Sequence, residues 1–441
     1  MNYQESLQYL DSHINKESYR LPIAGSTDSF SLDGIRQLLF SLGDPHRSFR
    51  VIHVTGTNGK GSTSVFISSI ISATDLSVGL YTSPHLESVT ERLQWNGQKI
   101  SEEDFARIIS LIASIEPMVE AELSWFEILT AAAFVWFSEL SVDVAVVEVG
   151  LLGLNDATNV VEADVAVITT LAKDHTDGLG DWQNKVAVEK AGIIKPSSYV
   201  LLGDDFGEQT KVFESMPNIG VYQAHEDFSV DSNLASVGGR LLDIRTINKE
   251  YTDLFFPFHA PFQAENFSIA LAAVEAFFQR GLEQDIIEFA LTTVALPARL
   301  EIVSTRPILV LDGCHNPAGA KASAHALSET FAKLGSSILI VGILQDRDPI
   351  EMLQAMNVAD FDAVICCQPE SDRALAAEKL VDAANSLGIQ PELIRSPLEA
   401  LSRAQAISAE EDIIYIAGSF YLVGHIRSFL IKSQNIGSET I

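Results

Sequence analysis

Cysteine is scarce in this 441-residue chain: there are three, two of them adjacent at Cys366 and Cys367. Thiols so placed make no disulfide framework and carry no zinc-ligand spacing. Basic residues are also few, 29 Lys and Arg against 59 Asp and Glu, for a formal net charge of −30. Binding to nucleic acid takes a basic face that displaces counterions, so no such partner is expected. An anionic small ligand must instead meet a local cluster of Lys and Arg set against the global field. Long apolar runs are missing too. No stretch of about 18 uninterrupted apolar residues occurs, so no membrane span is expected. The segment Met1-Asn2-Tyr3-Gln4-Glu5 has neither the basic n-region nor the apolar core of a signal peptide. A cytoplasmic protein is the expectation. Repeats and low-complexity tracts are lacking.

What is present is a globular composition, 47% hydrophobic and 20% charged, over a length that implies two domains. Short β-branched runs alternate with longer amphipathic stretches. Strands are expected at 49–54, 142–149, 165–170 and 199–202, with helices from about Lys60 and near 103–115, 125–140 and 181–195. The alternation implies parallel βαβ units in a doubly wound sheet. A β-rich insertion is expected around 238–258. A second α/β series then runs through 308–312, 338–341, 361–366 and 412–417, and the tail 434–438 is expected to fray. Leu296-Pro297-Ala298 separates the two series. The fold class is therefore α/β: a P-loop-type doubly wound parallel sheet domain over 1–297, then a smaller Rossmann-like α/β domain over 298–441.

Between the first strand and its helix lies Thr55-Gly56-Thr57-Asn58-Gly59-Lys60-Gly61-Ser62-Thr63. Glycines let backbone N–H groups turn toward phosphate oxygens, and the helix N-terminus adds favourable partial charge. Thr57 to Thr63 would then bind ATP. Lys60 would reach the outer phosphates, and a hydroxyl at Ser62 or Thr63 could face magnesium. The strict Walker spacing fails, because Val54 stands where the first glycine belongs and Gly61 follows the lysine.

That departure resembles the loop of the folylpolyglutamate synthase/dihydrofolate synthase family within the Mur ligase superfamily. The resemblance covers nearly the whole chain, in order. It takes in Tyr81-Thr82-Ser83-Pro84-His85-Leu86, Trp125-Phe126-Glu127, Asp156-Ala157-Thr158-Asn159 and Asp174-His175-Thr176. Further along come Glu189-Lys190-Ala191-Gly192-Ile193-Ile194-Lys195-Pro196, Arg299-Leu300-Glu301, Leu311-Asp312-Gly313-Cys314-His315-Asn316-Pro317 and Gly418-Ser419-Phe420-Tyr421-Leu422-Val423-Gly424. It implies an ATP-dependent ligase that joins glutamate to dihydropteroate, to the folate tail, or to both. The first domain would carry the ATP site and the pterin or folate site. Small-molecule substrates and a monomer are expected.

Making an amide from a carboxylate needs a better leaving group than hydroxide, and an acyl phosphate formed from ATP supplies one. The protein then has to position reactants and neutralise the transferring phosphoryl group. The resemblance implies two Mg2+ ions, one held by Ser83 and Glu148, the other by Glu148 and His175. It implies that Lys190 is carbamylated by carbon dioxide, turning an ammonium into an anionic group near the metals. Lys60, Lys190 and His175 would form the catalytic set. Asn266 and Arg299 would contact ATP, with Asp312 at the ribose and His315 and Asn316 approaching the nucleotide. Ser83, Trp125, Phe126, Asp156 and Ala157 would line the pterin pocket, where an aromatic ring stacks and a carboxylate accepts N–H bonds.

Four departures stand out. Leu154 occupies the place of a basic residue before Asp156, Lys173 that of an apolar one, Phe262 that of a histidine in Phe262-Gln263-Ala264-Glu265-Asn266, and Ala298 that of a glycine. They leave room for a paralogous ligase with another acyl acceptor. A nucleotide-binding homologue without catalysis is the alternative from a different class.

Overall fold

The apolar run after Phe49 folds as β1 (Arg50–Thr55), buried from Val51 onward, in a computed structural model that describes residues 1–15, 24, 31–174, 180–331 and 335–438. Two compact units result. One comprises Met1–Phe258 with Gln263–Val294, the other His259–Phe262 with Ala295–Ile441. The chain thus passes between them at three places, not only near Pro297.

In the first unit β1 joins β2 (Val78–Tyr81), β3 (Leu93–Trp95), β4 (Gln98–Lys99), β5 (Val144–Glu148), β6 (Val165–Ile168), β7 (Tyr199–Leu202) and β8 (Gly220–Gln223). Their order is β4-β3-β2-β5-β1-β6-β7-β8. The strands from β2 to β8 in that order pair in parallel, whereas β3 and β4 add antiparallel edges. From β1 the chain moves to one side for β2 and β5, then to the other for β6, β7 and β8. That reversal places a topological switch point at the carboxyl ends of β5, β1 and β6, where α/β sheets take their ligands. Register sets the level: Val54 lies opposite Glu148 and Val167, and Thr55 opposite Ile168.

Helix Trp125–Glu139 anchors the core on one face of this sheet. Ser124 and Glu127 close a capping box at its start, and twelve of its fifteen residues are buried. A helix apolar on every side can only be central, and it packs among Leu10, Ile35, Leu38, Phe105 and Ile109. The β-rich insertion begins earlier than expected, as β9 (Ser229–Ser236), β10 (Gly239–Arg245) and β11 (Glu250–Phe256) in an antiparallel sheet. It is tied to helix Pro261–Phe278 by the buried carboxylate of Glu275. This accepts hydrogen bonds from Tyr251 Oη (2.7 Å), Thr246 Oγ1 (2.8 Å), and Asn248 N (3.1 Å) and Nδ2 (3.2 Å).

The second unit carries β12 (Glu301–Thr305), β13 (Ile308–Asp312), β14 (Ser337–Val341), β15 (Ala363–Cys366), β16 (Glu392–Leu393) and β17 (Ile413–Ala417), ordered β12-β13-β17-β14-β15-β16. All pair in parallel except β12, which runs antiparallel to β13. All three cysteines are free and buried here. Phe262, an oddity in the sequence, packs against this unit's apolar core. The closing helix, Phe420–Ser438, continues through the tail expected to fray. Among the described residues, no helix is long and apolar enough to cross a membrane.

Removing the Glu275 carboxylate takes the acceptor from the Asn248 N–H and leaves the buried Tyr251 Oη with only Leu282 O at 3.2 Å, while Thr246 Oγ1 keeps Lys249 O at 2.7 Å. Glu275→Ala is expected to lower the unfolding free energy by about 3 kcal/mol, read from the urea midpoint.

Candidate active site

The phosphate loop is shaped by close approach. Gly56 sits at φ +150°, and a Cβ there would stand 1.8 Å from Thr169 Oγ1. Gly59, at φ +85°, would drive a Cβ to within 2.4 Å of Asn266 Oδ1. Gly59 also precedes helix Lys60–Ser72 without a side-chain cap, so no capping oxygen takes up the helix's first N–H groups. The loop is braced from behind by the residues after β6. Thr57 N–H reaches Thr170 O and Asn58 N–H reaches Thr170 Oγ1, both at 2.9 Å. Thr169 Oγ1 donates to Asn58 O at 2.6 Å, and Ala172 N–H reaches Thr57 Oγ1 at 3.0 Å. Lys60 folds back, its Nζ 3.1 Å from Gly56 O.

Three further predicted residues are Glu148, Ser83 and Lys190. Glu148, buried at the end of β5, accepts the Ser83 N–H on Oε2 at 3.0 Å. Lys190 lies in the last turn of helix Trp182–Ala191 and is only 3% exposed. A surface lysine paired along its helix is thereby excluded. Burial depresses its amine from 10.5 to about 7, and the Lys60 charge pushes the same way, while Asp174 and Glu189 oppose the shift. Lys60, Lys190 and Asp174 thus share one field. Among the described residues no group of three His, Cys, Asp or Glu could hold a metal by itself. His175 lies outside the described residues.

The expected pterin set divides. Trp125 is a core residue whose ring faces the Arg92 guanidinium at 4.8 Å, while Arg92 Nε donates to His85 Nδ1 at 3.0 Å. Phe126 lies against Gly150, where a Cβ would come within 2.6 Å of its ring, and 5.9 Å from the Tyr81 ring. Ala157 is buried. Asp156 is turned inward: Oδ2 accepts Leu151 N–H at 2.8 Å and Oδ1 accepts Thr158 N–H at 3.0 Å. Burial raises its pKa against those hydrogen bonds. The loop itself therefore engages both oxygens of this carboxylate.

In the second unit Asp312 is likewise internal. Cys314 N–H reaches its Oδ1 at 3.0 Å and Tyr415 Oη its Oδ2 at 3.3 Å. Burial raises it, opposed by Ser323 and Arg299. Asn316 caps helix Pro317–Thr330 by accepting Gly319 N–H at 2.8 Å. Arg299 stacks its guanidinium over the Phe420 ring at 4.6 Å, and His315 lies 6.0 Å from that ring. Ala298, where a glycine was anticipated, adopts φ +55°, a left-handed conformation that suits glycine better.

Sequence reasoning missed Thr169 and Thr170 as the brace of the phosphate loop, and Arg92 as the residue seated on Trp125. A Thr-Thr pair directly after a buried parallel strand was the available signal for the first. For Arg92 there was none, since a lone arginine in a polar stretch reads as solvated.

Residues 54–274 match the Mur ligase middle domain and residues 298–420 the Mur ligase glutamate ligase domain. The chain is similar to the dihydrofolate synthase/folylpolyglutamate synthase of Mycobacterium tuberculosis, 37% identical over 378 residues, 80% of this chain and 77% of that protein. Folylpolyglutamate synthase from the same organism, complexed with ADP and AMPPCP, superposes with a TM-score of 0.87 at 32% identity. The match covers 97% of this chain and 99% of that one. The bifunctional folylpolyglutamate synthase/dihydrofolate synthase of Yersinia pestis, complexed with AMPPNP and Mn ion, gives a TM-score of 0.84 at 28% identity, covering 98% of each chain.

The depressed amine makes stability depend on pH. Between about 7 and 10.5 the native chain binds fewer protons at Lys190 than the unfolded chain does, so stability rises with pH across that window. Lys190→Met is expected to flatten this slope in carbon-dioxide-free buffer and to stabilise most below the window. Urea midpoints across the pH range check both.

Proposed function

The chain belongs to the dihydrofolate synthase/folylpolyglutamate synthase family of Mur ligases, and on that premise we propose that Lys60, Lys190, Glu148 and Ser83 carry an ATP-dependent ligation of glutamate. The observation that carries this assignment is the glycine-rich loop from Gly56 to Lys60 packed at the switch point of the sheet, with Ser83 hydrogen-bonded to Glu148 and Lys190 buried. In the proposed reaction a carboxylate oxygen of the acceptor attacks the γ-phosphorus of ATP. The bond to the ADP oxygen breaks, leaving an acyl phosphate. The glutamate amine then attacks the acyl carbon, the C–O bond to phosphate breaks, and the amine loses a proton. With dihydropteroate the product is dihydrofolate. With the γ-carboxylate of a folate it is a lengthened glutamate tail. We propose both activities for this chain on its likeness to the dihydrofolate synthase/folylpolyglutamate synthases of Mycobacterium tuberculosis and Bacillus subtilis.

The backbone from Gly56 to Gly61 would cradle the phosphates, with Lys60 swinging from Gly56 O to the outer ones. Hard oxygen donors fit magnesium, which keeps waters and substrate phosphates in its shell and needs few protein ligands. Glu148 and Ser83 would hold it, joined by a hydroxyl of Ser62 or Thr63. When bound, the ion neutralises charge on the phosphates. Lys190 in its neutral form can attack carbon dioxide: an N–C bond forms, one proton leaves, and a carbamate anion remains. Its negative charge would replace a buried repulsion with an attraction to Lys60. A protonated lysine cannot do this.

The test is glutamate incorporation and phosphate release with ATP and magnesium, comparing dihydropteroate with tetrahydrofolate. Turnover with both is expected. Turnover with one alone would restrict the assignment, and none with either would move it to another acyl acceptor. Lys190→Ala should lose about 10²-fold or more in kcat, together with the carbamate signal that ¹³C-bicarbonate gives in the parent protein.

A further inference from the structure

The loop from Gly150 to Asn159 joins two parts of the site that are far apart in sequence, and it does so through side chains that the ligation as described does not use. Its first arm reaches the phosphate loop. Thr55, the residue before Gly56, donates its hydroxyl to Leu152 O at 2.7 Å. Leu151 and Thr158 both give backbone N–H groups to Asp156, which closes the loop on itself. The Thr158 hydroxyl donates to Asp156 Oδ1. A hydroxyl has one proton, so toward His53 Nε2, 2.9 Å away, Thr158 Oγ1 acts as acceptor. His53 therefore carries its proton on Nε2. It is fully buried on β1, two residues before Thr55, and burial drops it to about 3, aided by Lys195, so it stays neutral.

The second arm reaches the helix that bears Lys190. Asn159 Nδ2 donates to Leu154 O at 2.9 Å and to Gly192 O at 3.0 Å. Its Oδ1 accepts Lys195 Nζ at 2.9 Å. Leu154 N–H donates to Glu189 O at 2.8 Å. Gly153 lies so close that a Cβ would stand 2.7 Å from Glu189 O and 3.2 Å from the Lys190 Cα. Thr158 and Asn159 are adjacent, buried, and belong one to each arm.

We propose that Thr158 and Asn159, with His53 behind them, are positioning residues that hold the base of the phosphate loop and the backbone of Lys190 at a fixed separation. The inference rests on the ligase reading above. Both side chains are buried and hydrogen-bonded to protein groups. Their hydrogen bonds set where the Lys190 amine, or its carbamate, stands relative to Lys60 and the phosphates. Reaction rates are sensitive to such spacing: a displacement of about 1 Å can cost on the order of 10²-fold. A bracket that served stability alone would alter the folded fraction and leave the turnover of each folded molecule unchanged.

Steady-state kinetics on Thr158→Val, Thr158→Ser and Asn159→Asp decide between the two. Val keeps the shape of Thr158 and removes the hydroxyl. Asp keeps an acceptor for Lys195 and removes the donor to Leu154 O and Gly192 O. The expected result, normalised to folded protein, is a fall in kcat of roughly 10²-fold for Val and Asp with the KM for ATP within about threefold. Ser restores kcat to within about threefold of the parent chain. Parent-like kcat in Val and Asp, with only a lowered unfolding midpoint, overturns the proposal, and so does a Ser variant as impaired as Val. If Val gives no folded protein, the Asp variant decides on the same criteria. A parent chain that ligates glutamate to neither acceptor fails the ligase reading itself and takes this inference with it.

Discussion

An ammonium group cannot be buried beside a second one at little cost, and the site is organised around that constraint. Lys190 is enclosed at the end of its helix and feels the charge of Lys60. Desolvation and like-charge repulsion both favour the neutral amine. The partial counterweights, Asp174 and Glu189, do not restore an ordinary ammonium. In a chain of net charge −30, where an anionic ligand needs local cations, this site sets two lysines in one field and holds one of them near neutrality. The neutral amine is the form that can bond to carbon dioxide, so the energetic cost of burial becomes a chemical capacity.

The sheet makes such a concentration possible. Parallel strands end together, so Thr55, Glu148 and Ile168 deliver their following loops to one edge. Glycine then allows close approach to backbone and side chains alike. At Gly56 and Gly59 the phosphate loop lies against Thr169 and Asn266, and at Gly153 and Gly192 the 150–154 loop lies against the end of the Lys190 helix. A side chain at any of these positions would separate elements whose spacing the chemistry depends on. The second unit follows the same economy, bracing Asp312 and Asn316 internally so that the loop after β13 keeps one shape.

Much of this is legible in the amino-acid sequence alone. The buried strand, the Gly-Lys-Gly-Ser loop and the following helix identify one another, because backbone phosphate binding needs all three. The inner strands β1, β5, β6 and β7 of the first unit and β13, β14, β15 and β17 of the second stand out as apolar runs. The short edges do not: β4 is two exposed residues, Gln98 and Lys99, and nothing in so polar a pair announces a strand. The motif names Lys190, but its burial is not legible locally. Its helix includes Lys185, Glu189 and Lys190 in ten residues and looks solvated, whereas Gly153, far earlier in the chain, packs against the Lys190 backbone. Asp156 carries a constraint the motif does not announce: each of its oxygens accepts a backbone N–H of its own loop, which fixes the carboxylate without closing it to a ligand.

The most direct test of this account is the protonation of Lys190 itself. In protein carrying ¹³C-labelled lysine, with the Lys190 resonance assigned by its loss in a Lys190→Met variant, a titration in carbon-dioxide-free buffer reads the midpoint. The account predicts a midpoint near 7 for this residue. A midpoint at the ordinary lysine value of about 10.4 would mean an amine still charged at neutral pH and would contradict it.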